Sequence, residues 1–145
     1  MKKISAVLLG LCALCALAAG CAAKPAPAPS DIVDLTAMSS TLVYAEVYNI
    51  TNNPAQYVGK TIKMRGTYQA NYYEPTAQYY HSVVIADAAA CCAQGLEFEW
   101  AGKHAFPGDY PANGAEVEVT GVFTPYQELG QTYYHLTVDG IDVVG

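Results

Sequence analysis

Two adjacent cysteines, Cys91 and Cys92, are the residues of this chain with the clearest capacity for chemistry. They could form a vicinal disulfide, although neighbouring Cα atoms lie about 3.8 Å apart, closer than ordinary disulfides require. They could instead bind zinc or copper(I) as thiolates, with imidazoles from His81, His104 or His135 completing the site. In a third interpretation, one cysteine packs as a small hydrophobic residue and the other has no role. The sequence leaves all three open.

Tyrosine doublets are the second candidate feature. They are Tyr72-Tyr73, Tyr79-Tyr80 and Tyr133-Tyr134. Because side chains alternate between the two faces of a strand, one member of each doublet points outward. These outward rings, beside two basic side chains, could stack against a ligand, whereas ordinary cross-strand aromatic pairing is the simpler alternative. The predicted platform consists of Tyr73, Tyr79, Tyr133, Lys63 and Arg65.

No enzyme motif accompanies these features in the sequence. It lacks Gly-x-Ser-x-Gly, His-Glu-x-x-His and a glycine-rich phosphate loop. Glu97 and Glu99 alternate along one predicted strand, a pattern typical of a solvated face. We therefore expect a non-enzymatic protein.

The N-terminus has the pattern of a secretion signal that ends at a cysteine. Lys2 and Lys3 precede an apolar stretch shorter than the ~20 residues needed to cross a bilayer. Residues 17–21, Leu-Ala-Ala-Gly-Cys, closely resemble the lipobox of bacterial lipoproteins. The resemblance implies cleavage before Cys21 and attachment of a diacylglycerol thioether, which would anchor the protein on the extracytoplasmic face of the cell membrane. The alternative is a plain secretory peptide with an incidental cysteine.

Charge narrows the expected partners. After residue 20 the chain has five basic and thirteen acidic residues, a formal charge of −8. This charge disfavours nucleic acids and electrostatic attachment to anionic lipids, so we expect a glycan, peptide or protein ligand. A composition of 52% hydrophobic and 14% charged residues is typical of a globular domain. Because the two remaining cysteines cannot build a disulfide framework, a packed core must stabilise it.

The chain divides into three predicted parts: a signal peptide at 1–20, the lipidated cysteine with a Pro/Ala-rich linker at 21–40, and one mainly β domain at 41–145. A helix capped by Ser39 or Ser40 opens the domain and ends before Pro54. Alternating apolar residues then predict strands at 61–68, 79–86, 96–100, 115–123 and 132–143. We expect a bend or bulge at Gly66 and a bulge at Gly140, where the apolar parity shifts.

Two phrases, residues 59–66 (Gly-Lys-Thr-Ile-Lys-Met-Arg-Gly) and residues 116–121 (Glu-Val-Glu-Val-Thr-Gly), resemble strands one and four of an OB-fold. The arrangement is similar to the tRNA-anti-like OB domains of bacterial exported proteins. The resemblance implies a five-stranded OB-like barrel preceded by a short helix; an SH3-like barrel and an open sheet are alternatives. Residues 86–98 are also similar to a segment of uncharacterised lipoproteins from Gram-positive anaerobes, which carries no established activity.

The functional expectation follows from anchor, charge and fold together. We expect a lipid-anchored domain that binds a ligand or partner at the cell envelope. The alternative is a thiol-based module for zinc, copper or redox chemistry, centred on Cys91 and Cys92.

Overall fold

The computed structural model describes residues 31–87, 89 and 91–145. The predicted signal peptide, Cys21 and the proline-rich stretch that follows it lie outside these residues. The described residues form β1 (Ile32–Asp34), α1 (Ser40–Asn52), β2 (Thr61–Tyr73), β3 (Gln78–Ala86), β4 (Ala93–Trp100), β5 (Glu116–Glu128) and β6 (Gln131–Val143), with short 3₁₀ turns at Leu35–Ala37 and Pro54–Gln56. The predicted mainly β class is confirmed. No helix within the described ranges is long and apolar enough to cross a membrane.

Part of the segment predicted as linker is folded. Residues of β1 pair in parallel with β2 at the edge of the sheet. Asp34 accepts a hydrogen bond of 2.9 Å from the backbone N–H of Thr36 and so caps the turn that follows. Leu35 in this turn is only 1% exposed, because it packs into the core. The folded domain therefore begins before residue 41.

The helix predicted after the linker is confirmed. Ser39 has the extended backbone of an N-cap, although its side chain makes no capping hydrogen bond. The helix ends at Asn52 with Asn53 as its C-cap, because a residue that precedes proline, here Pro54, disfavours helical geometry. Its buried face carries Val47 and Ile50, which pack against the sheet.

All five predicted strands are present, as β2 to β6, and several are longer than predicted. The largest extensions are at the ends of β2 and β5, which reach Tyr73 and Glu128. β5 and β6 are joined by a tight turn at Leu129 and Gly130, both of which have positive φ. Two successive residues with positive φ are the geometry of a type I′ hairpin turn, which matches the twist of the strands.

The strands pair in the order β1-β2-β3-β4-β6-β5, and β2 also pairs with β5. All contacts between neighbouring strands are antiparallel, apart from β1 with β2 and β4 with β6. β2 serves two partners in succession: residues 61–67 pair with β5, and residues 67–73 pair with β3.

Gly66 lies where β2 passes from one partner to the other. A Cβ atom at this position would lie 2.5 Å from the carbonyl oxygen of Val84, which is closer than real Cβ contacts allow. The pairing with β5 keeps its register through Gly66. The glycine therefore permits a close crossing of strands at a bend rather than forming a bulge.

The bulge predicted at Gly140 is confirmed by the register of β5 and β6. Val119 pairs with Ile141, whereas Gly121 pairs with Val138. One residue of β5 therefore faces two of β6, Asp139 and Gly140, and this extra residue shifts the apolar parity of the strand.

A single core fills the space between the sheet and the helix. Alternation along the strands directs every second side chain into it. The fully buried side chains include Ile62, Met64, Tyr68, Val83, Phe98, Val117, Val119, Leu136 and Val138.

Candidate functional site

A cleft opens where β3 and β4 separate. The hydrogen-bonded ladder between these strands ends at the pair His81 and Phe98, so residues 78–80 have no partner on β4. The resulting β3–β4 cleft has a volume of about 300 Å³. Its walls consist of Gln78, Tyr79, Tyr80, His81, Glu97, Phe98, Glu99, Tyr110, Tyr126, Glu128 and His135.

His81 occupies the inner wall of the β3–β4 cleft and is 9% exposed. Its Nδ1 lies 2.7 Å from the hydroxyl of Tyr68, and its ring stacks on Tyr110 at 4.1 Å between centroids. Burial lowers the pKa of His81, so the imidazole is neutral at pH 7. Within the described part of the chain, Nε2 makes no hydrogen bond, yet it is not sealed from solvent. This nitrogen is available to a ligand.

His135 is brought to the same cleft from β6. Its Nε2 lies 3.5 Å from a carboxylate oxygen of Glu99, and its Nδ1 lies 3.9 Å from one of Glu97. The ring also stacks on Tyr126, with centroids 4.9 Å apart. Burial lowers the pKa of His135, and the charge of Glu99 opposes that effect only in part. His135 is therefore neutral at pH 7 as well.

Hydroxyl groups hold two of the carboxylates in place. Tyr126 donates to both oxygens of Glu97, at 2.9 and 3.1 Å. Tyr80 donates to Glu128 at 2.5 Å, which ties β3 to the end of β5. Burial raises the pKa of Glu97, although the hydrogen bond from Tyr126 counteracts this. The ionised carboxylate of Glu97 is thus poorly solvated and gains from a positive partner.

Exposed aromatic rings extend the cleft outward. Tyr79 lines it, is 48% exposed, and contacts Tyr72 and Phe106 at 5.1 and 4.4 Å between centroids. Tyr133 stacks on Tyr126 at 5.6 Å, and Tyr73 meets Tyr80 edge-on at 6.2 Å. All three predicted platform tyrosines therefore line the β3–β4 cleft or touch a ring that does.

The two basic residues predicted for the platform are not at the cleft. Lys63 and Arg65 lie on the part of β2 that pairs with β5. Lys63 forms an ion pair with Glu118 at 2.9 Å, and Arg65 forms one with Glu116 at 2.8 Å. Arg65 lines a separate cavity of about 610 Å³ between the N-terminal segment and β2. The predicted combination of tyrosines and basic residues is therefore divided between two regions of the surface.

Cys91 and Cys92 lie in the exposed loop between β3 and β4, with Asp87 as their close neighbour. Their sulfur atoms are 3.5 Å apart, and both cysteines are free thiols. The Cys91 thiol donates to Asp87 Oδ2 at 3.1 Å, and its backbone N–H donates to Oδ1 at 2.9 Å. Hydrogen bonds to Asp87 and to Cys92 raise the pKa of the Cys91 thiol. We call these three residues the cysteine loop.

None of the three histidines joins the cysteine loop. Among the described residues, Asp87, Cys91 and Cys92 are the only group of three or more metal-ligating side chains whose ligand atoms lie within 4.8 Å of one another. His81 lies at the opposite end of the β3–β4 ladder, six residues along the chain from Asp87, or roughly 20 Å. His104 stacks on Trp100 at 3.7 Å instead.

Sequence reasoning missed several residues of the cleft and one residue of the cysteine loop. Glu97 and Glu99 alternate along β4, a pattern that predicts a solvated face, whereas both line the cleft. Tyr110 comes from the long connection before β5, where no periodic pattern marks it. Asp87 precedes the cysteines by a short spacing, and a carboxylate beside two thiols is a signal that could have identified it.

No protein-family model matches the chain, and no curated protein matches it in sequence. The functional assignment therefore depends on the chemistry of the β3–β4 cleft and of the cysteine loop.

Proposed function

We propose that this protein is a lipoprotein, anchored through Cys21 on the extracytoplasmic face of the cell membrane, whose domain binds a ligand or partner without catalysing a reaction. The lipobox-like residues 17–21 support the anchor. The proline-rich stretch after Cys21 suits a short spacer between membrane and domain. Two acyl chains are sufficient for stable attachment, because each buried methylene contributes about 0.8 kcal/mol.

The fold that we propose is a five-stranded OB-like barrel with an added edge strand, β1. The order of pairing supports it, since the contacts run β2-β3-β4-β6-β5 and return from β5 to β2. OB-folds bind ligands on the face formed by their second and third strands, between two of the connecting loops. β3 and β4 hold the corresponding places here, and the β3–β4 cleft lies on them.

The observation that carries the proposed binding function is the convergence of polar and aromatic groups at this cleft. Two neutral histidines, three glutamates and four tyrosines meet around one opening. Binding sites typically combine apolar walls with a few convergent polar groups, and perturbed pKa values cluster at them. The outer tyrosines add stacking surface for a glycan or a peptide.

Retention of envelope material by the lipidated protein tests this function. Soluble glycan and peptide fractions of the cell envelope are passed over the protein in lipid nanodiscs, and retained species are identified by mass spectrometry. A double variant, Tyr79→Ala with Tyr133→Ala, is expected to retain at least tenfold less, since each stacking ring contributes about 1–3 kcal/mol. Tyr48→Ala, which removes an exposed ring from α1, is the matched control. Equal retention by the double variant, or none by the wild type, contradicts the proposal.

The second candidate function is metal or redox chemistry at the cysteine loop. It is favoured by Asp87, which lies within 3.1 Å of the Cys91 sulfur and supplies a third ligand atom that the histidines do not. A bound zinc or copper(I) ion would displace the thiol proton that Asp87 now accepts, because thiolates are the metal ligands. The alternative to metal binding is oxidation of the Cys91 and Cys92 thiols to a vicinal disulfide.

Native mass spectrometry distinguishes metal binding from disulfide formation at the cysteine loop. The lipidated protein, purified without chelator, should carry a metal adduct that is lost in the Cys91→Ser, Cys92→Ser double variant. A mass lower by two hydrogens indicates the disulfide instead. Two free thiols after exposure to zinc, to copper(I) and to an oxidant would eliminate this second candidate.

A further inference from the structure

The β3–β4 cleft is acidic and lacks a basic counterpart. Glu97, Glu99 and Glu128 line it, whereas no lysine or arginine of the described residues does. The ion pairs that Lys63 and Arg65 make are with glutamates of β5 outside the cleft. The negative charge of the cleft is therefore not neutralised by a strongly basic side chain.

The two histidines do not supply a positive charge either. Burial lowers the pKa of both His81 and His135, so both imidazoles are neutral at pH 7. His81 is nine-tenths buried, and its Nε2 has no hydrogen-bond partner among the described residues. With Nδ1 held against the hydroxyl of Tyr68, Nε2 is the atom that a ligand can reach. The Tyr68 hydroxyl is buried, and Nδ1 is its only hydrogen-bond partner among the described residues, so the hydroxyl donates to Nδ1 and the imidazole proton is on Nε2. Nε2 can then donate to a carbonyl oxygen of a bound chain, and the positive charge that the cleft lacks must come from the ligand itself.

The aromatic walls suit the same kind of ligand. Tyr79, Tyr80, Tyr110 and Tyr126 surround the opening. The face of an aromatic ring attracts cations within about 6 Å of its centroid, and its body packs against apolar chain. A volume of about 300 Å³ is at the lower end of small-ligand sites. The cleft fits one flexible chain with a charged tip rather than a large ring system.

We infer that the β3–β4 cleft binds a primary ammonium group on a flexible apolar chain, with the carboxylates of Glu97 and Glu99 as counter-charges. The inference rests on the proposed binding function and specifies the chemistry of its ligand. A phosphate, a nucleic acid or an acidic glycan carries the wrong charge for this site. Two sources offer such a group: the lysine side chain of a peptide and a free polyamine.

Calorimetric titration of the lipidated protein in nanodiscs, at low ionic strength, tests the inference. The probes are trilysine peptide with blocked ends, the same peptide with every lysine acetylated, and spermidine. Trilysine is expected to bind, and acetylation, which removes the charge but keeps the chain, should weaken binding at least tenfold. Tighter binding of trilysine than of spermidine identifies a peptide source, and the reverse order identifies a polyamine.

Variants locate the binding. Glu99→Gln and Glu97→Gln should each weaken trilysine about fivefold, the size expected for loss of a partly exposed ion pair. Asp142→Asn makes the same change of net charge at an exposed position beside Lys63, away from the cleft, and should leave affinity unchanged. The inference is overturned if acetylated trilysine binds as well as the charged peptide. It is also overturned if Asp142→Asn weakens binding as much as Glu99→Gln.

Failure of the inference can be distinguished from failure of the proposed function. If neither trilysine nor spermidine binds, but envelope material is retained through Tyr79 and Tyr133, the cleft is a binding site for a ligand of different charge. If the probes do not bind and nothing is retained, both the inference and the proposed function are wrong.

Discussion

At the scale of one residue, Glu97 is a cleft carboxylate whose ionised form is disfavoured by burial. Its carboxylate is half-buried, receives two contacts from the Tyr126 hydroxyl and lies near His135, which is neutral. Burial raises its pKa above the ordinary value of 4.5, because desolvation penalises the ionised form. Groups with perturbed pKa values cluster at functional sites, so this shift supports a binding role for Glu97.

Replacing Glu97 by glutamine therefore has a predictable effect on stability. The pKa of Glu97 is higher in the folded protein than in the unfolded chain. As pH rises above 4.5, ionisation of Glu97 therefore destabilises the fold, whereas well below pH 4.5 the carboxyl group is neutral in both states and has no such effect. Glu97→Gln stays neutral and keeps an oxygen for Tyr126, so we expect a higher Tm at pH 7. The difference should close as pH falls below 4.5. Thermal unfolding followed by circular dichroism at both pH values measures this.

Glu74→Gln is the control, because Glu74 lies in the exposed turn between β2 and β3. It should change Tm at pH 7 less than Glu97→Gln does. A lower Tm for Glu97→Gln at pH 7 would mean that its ionised form stabilises the fold, contrary to the burial argument.

At the scale of elements, β2 organises the molecule by pairing with β5 in its first half and with β3 in its second. The change of partner requires Gly66, where the backbone of β3 approaches too closely for a side chain. The crossing lies beside Val84, toward the end of β3 that is opposite the residues lining the cleft.

Gly66→Ala should destabilise the protein by roughly 1–3 kcal/mol, the usual cost of overpacking. The new Cβ would meet the carbonyl oxygen of Val84 at 2.5 Å and the side chain of Val83 at 3.0 Å. Urea unfolding followed by the fluorescence of Trp100 measures the change. Gly140→Ala is the control, since no atom lies within 4 Å of a Cβ built there. Equal destabilisation by the two variants would show that the close crossing at Gly66 is not the cause.

The helix and strands could be predicted from the sequence, whereas the arrangement of residues in the β3–β4 cleft could not. The helix, the five strands and the bulge at Gly140 leave local periodic patterns in the sequence, whereas the cleft depends on contacts between distant residues. The parallel pairing of β4 with β6 brings His135 to Glu97 and Glu99, and no local pattern specifies that pairing. The turn at Leu129 also escaped prediction, because a leucine with positive φ gives no turn signal.

At the scale of the whole molecule, the segment before α1 belongs to the folded domain rather than to a linker. Residues 31–37, predicted as linker, pair with β2 and bury Leu35. The sequence obscured this because a three-residue strand is too short for periodicity to reveal. The linker predicted at 21–40 therefore overlaps the folded domain from residue 32 onward.

The buried position of Leu35 predicts a large effect of its truncation. Leu35→Ala should reduce the free energy of unfolding by about 2–5 kcal/mol, as for other fully buried leucines. Leu42→Ala is the matched control, because Leu42 on α1 is 59% exposed and should cost less than about 0.5 kcal/mol. Urea denaturation of both variants decides the matter. Similar small losses would mean that the segment before α1 is dispensable.

The proposed anchor predicts where the protein is found in the cell. Cys21→Ala should move it from the membrane fraction to the soluble or unprocessed fraction and abolish labelling with a palmitate analogue. Cys91→Ala, which removes a thiol outside the lipobox-like residues, should leave both unchanged. Membrane labelling that survives Cys21→Ala would rule out this anchor.

Imidazole proton resonances test the binding function of the β3–β4 cleft most directly. The chain has three histidines, two lining the cleft and His104 stacked on Trp100 outside its walls. On addition of the envelope fraction that the protein retains, binding in the cleft predicts saturable shifts of the His81 and His135 signals, with His104 unchanged. Shifts of His104 alone, or of no histidine while material is bound, would contradict a binding site in the cleft.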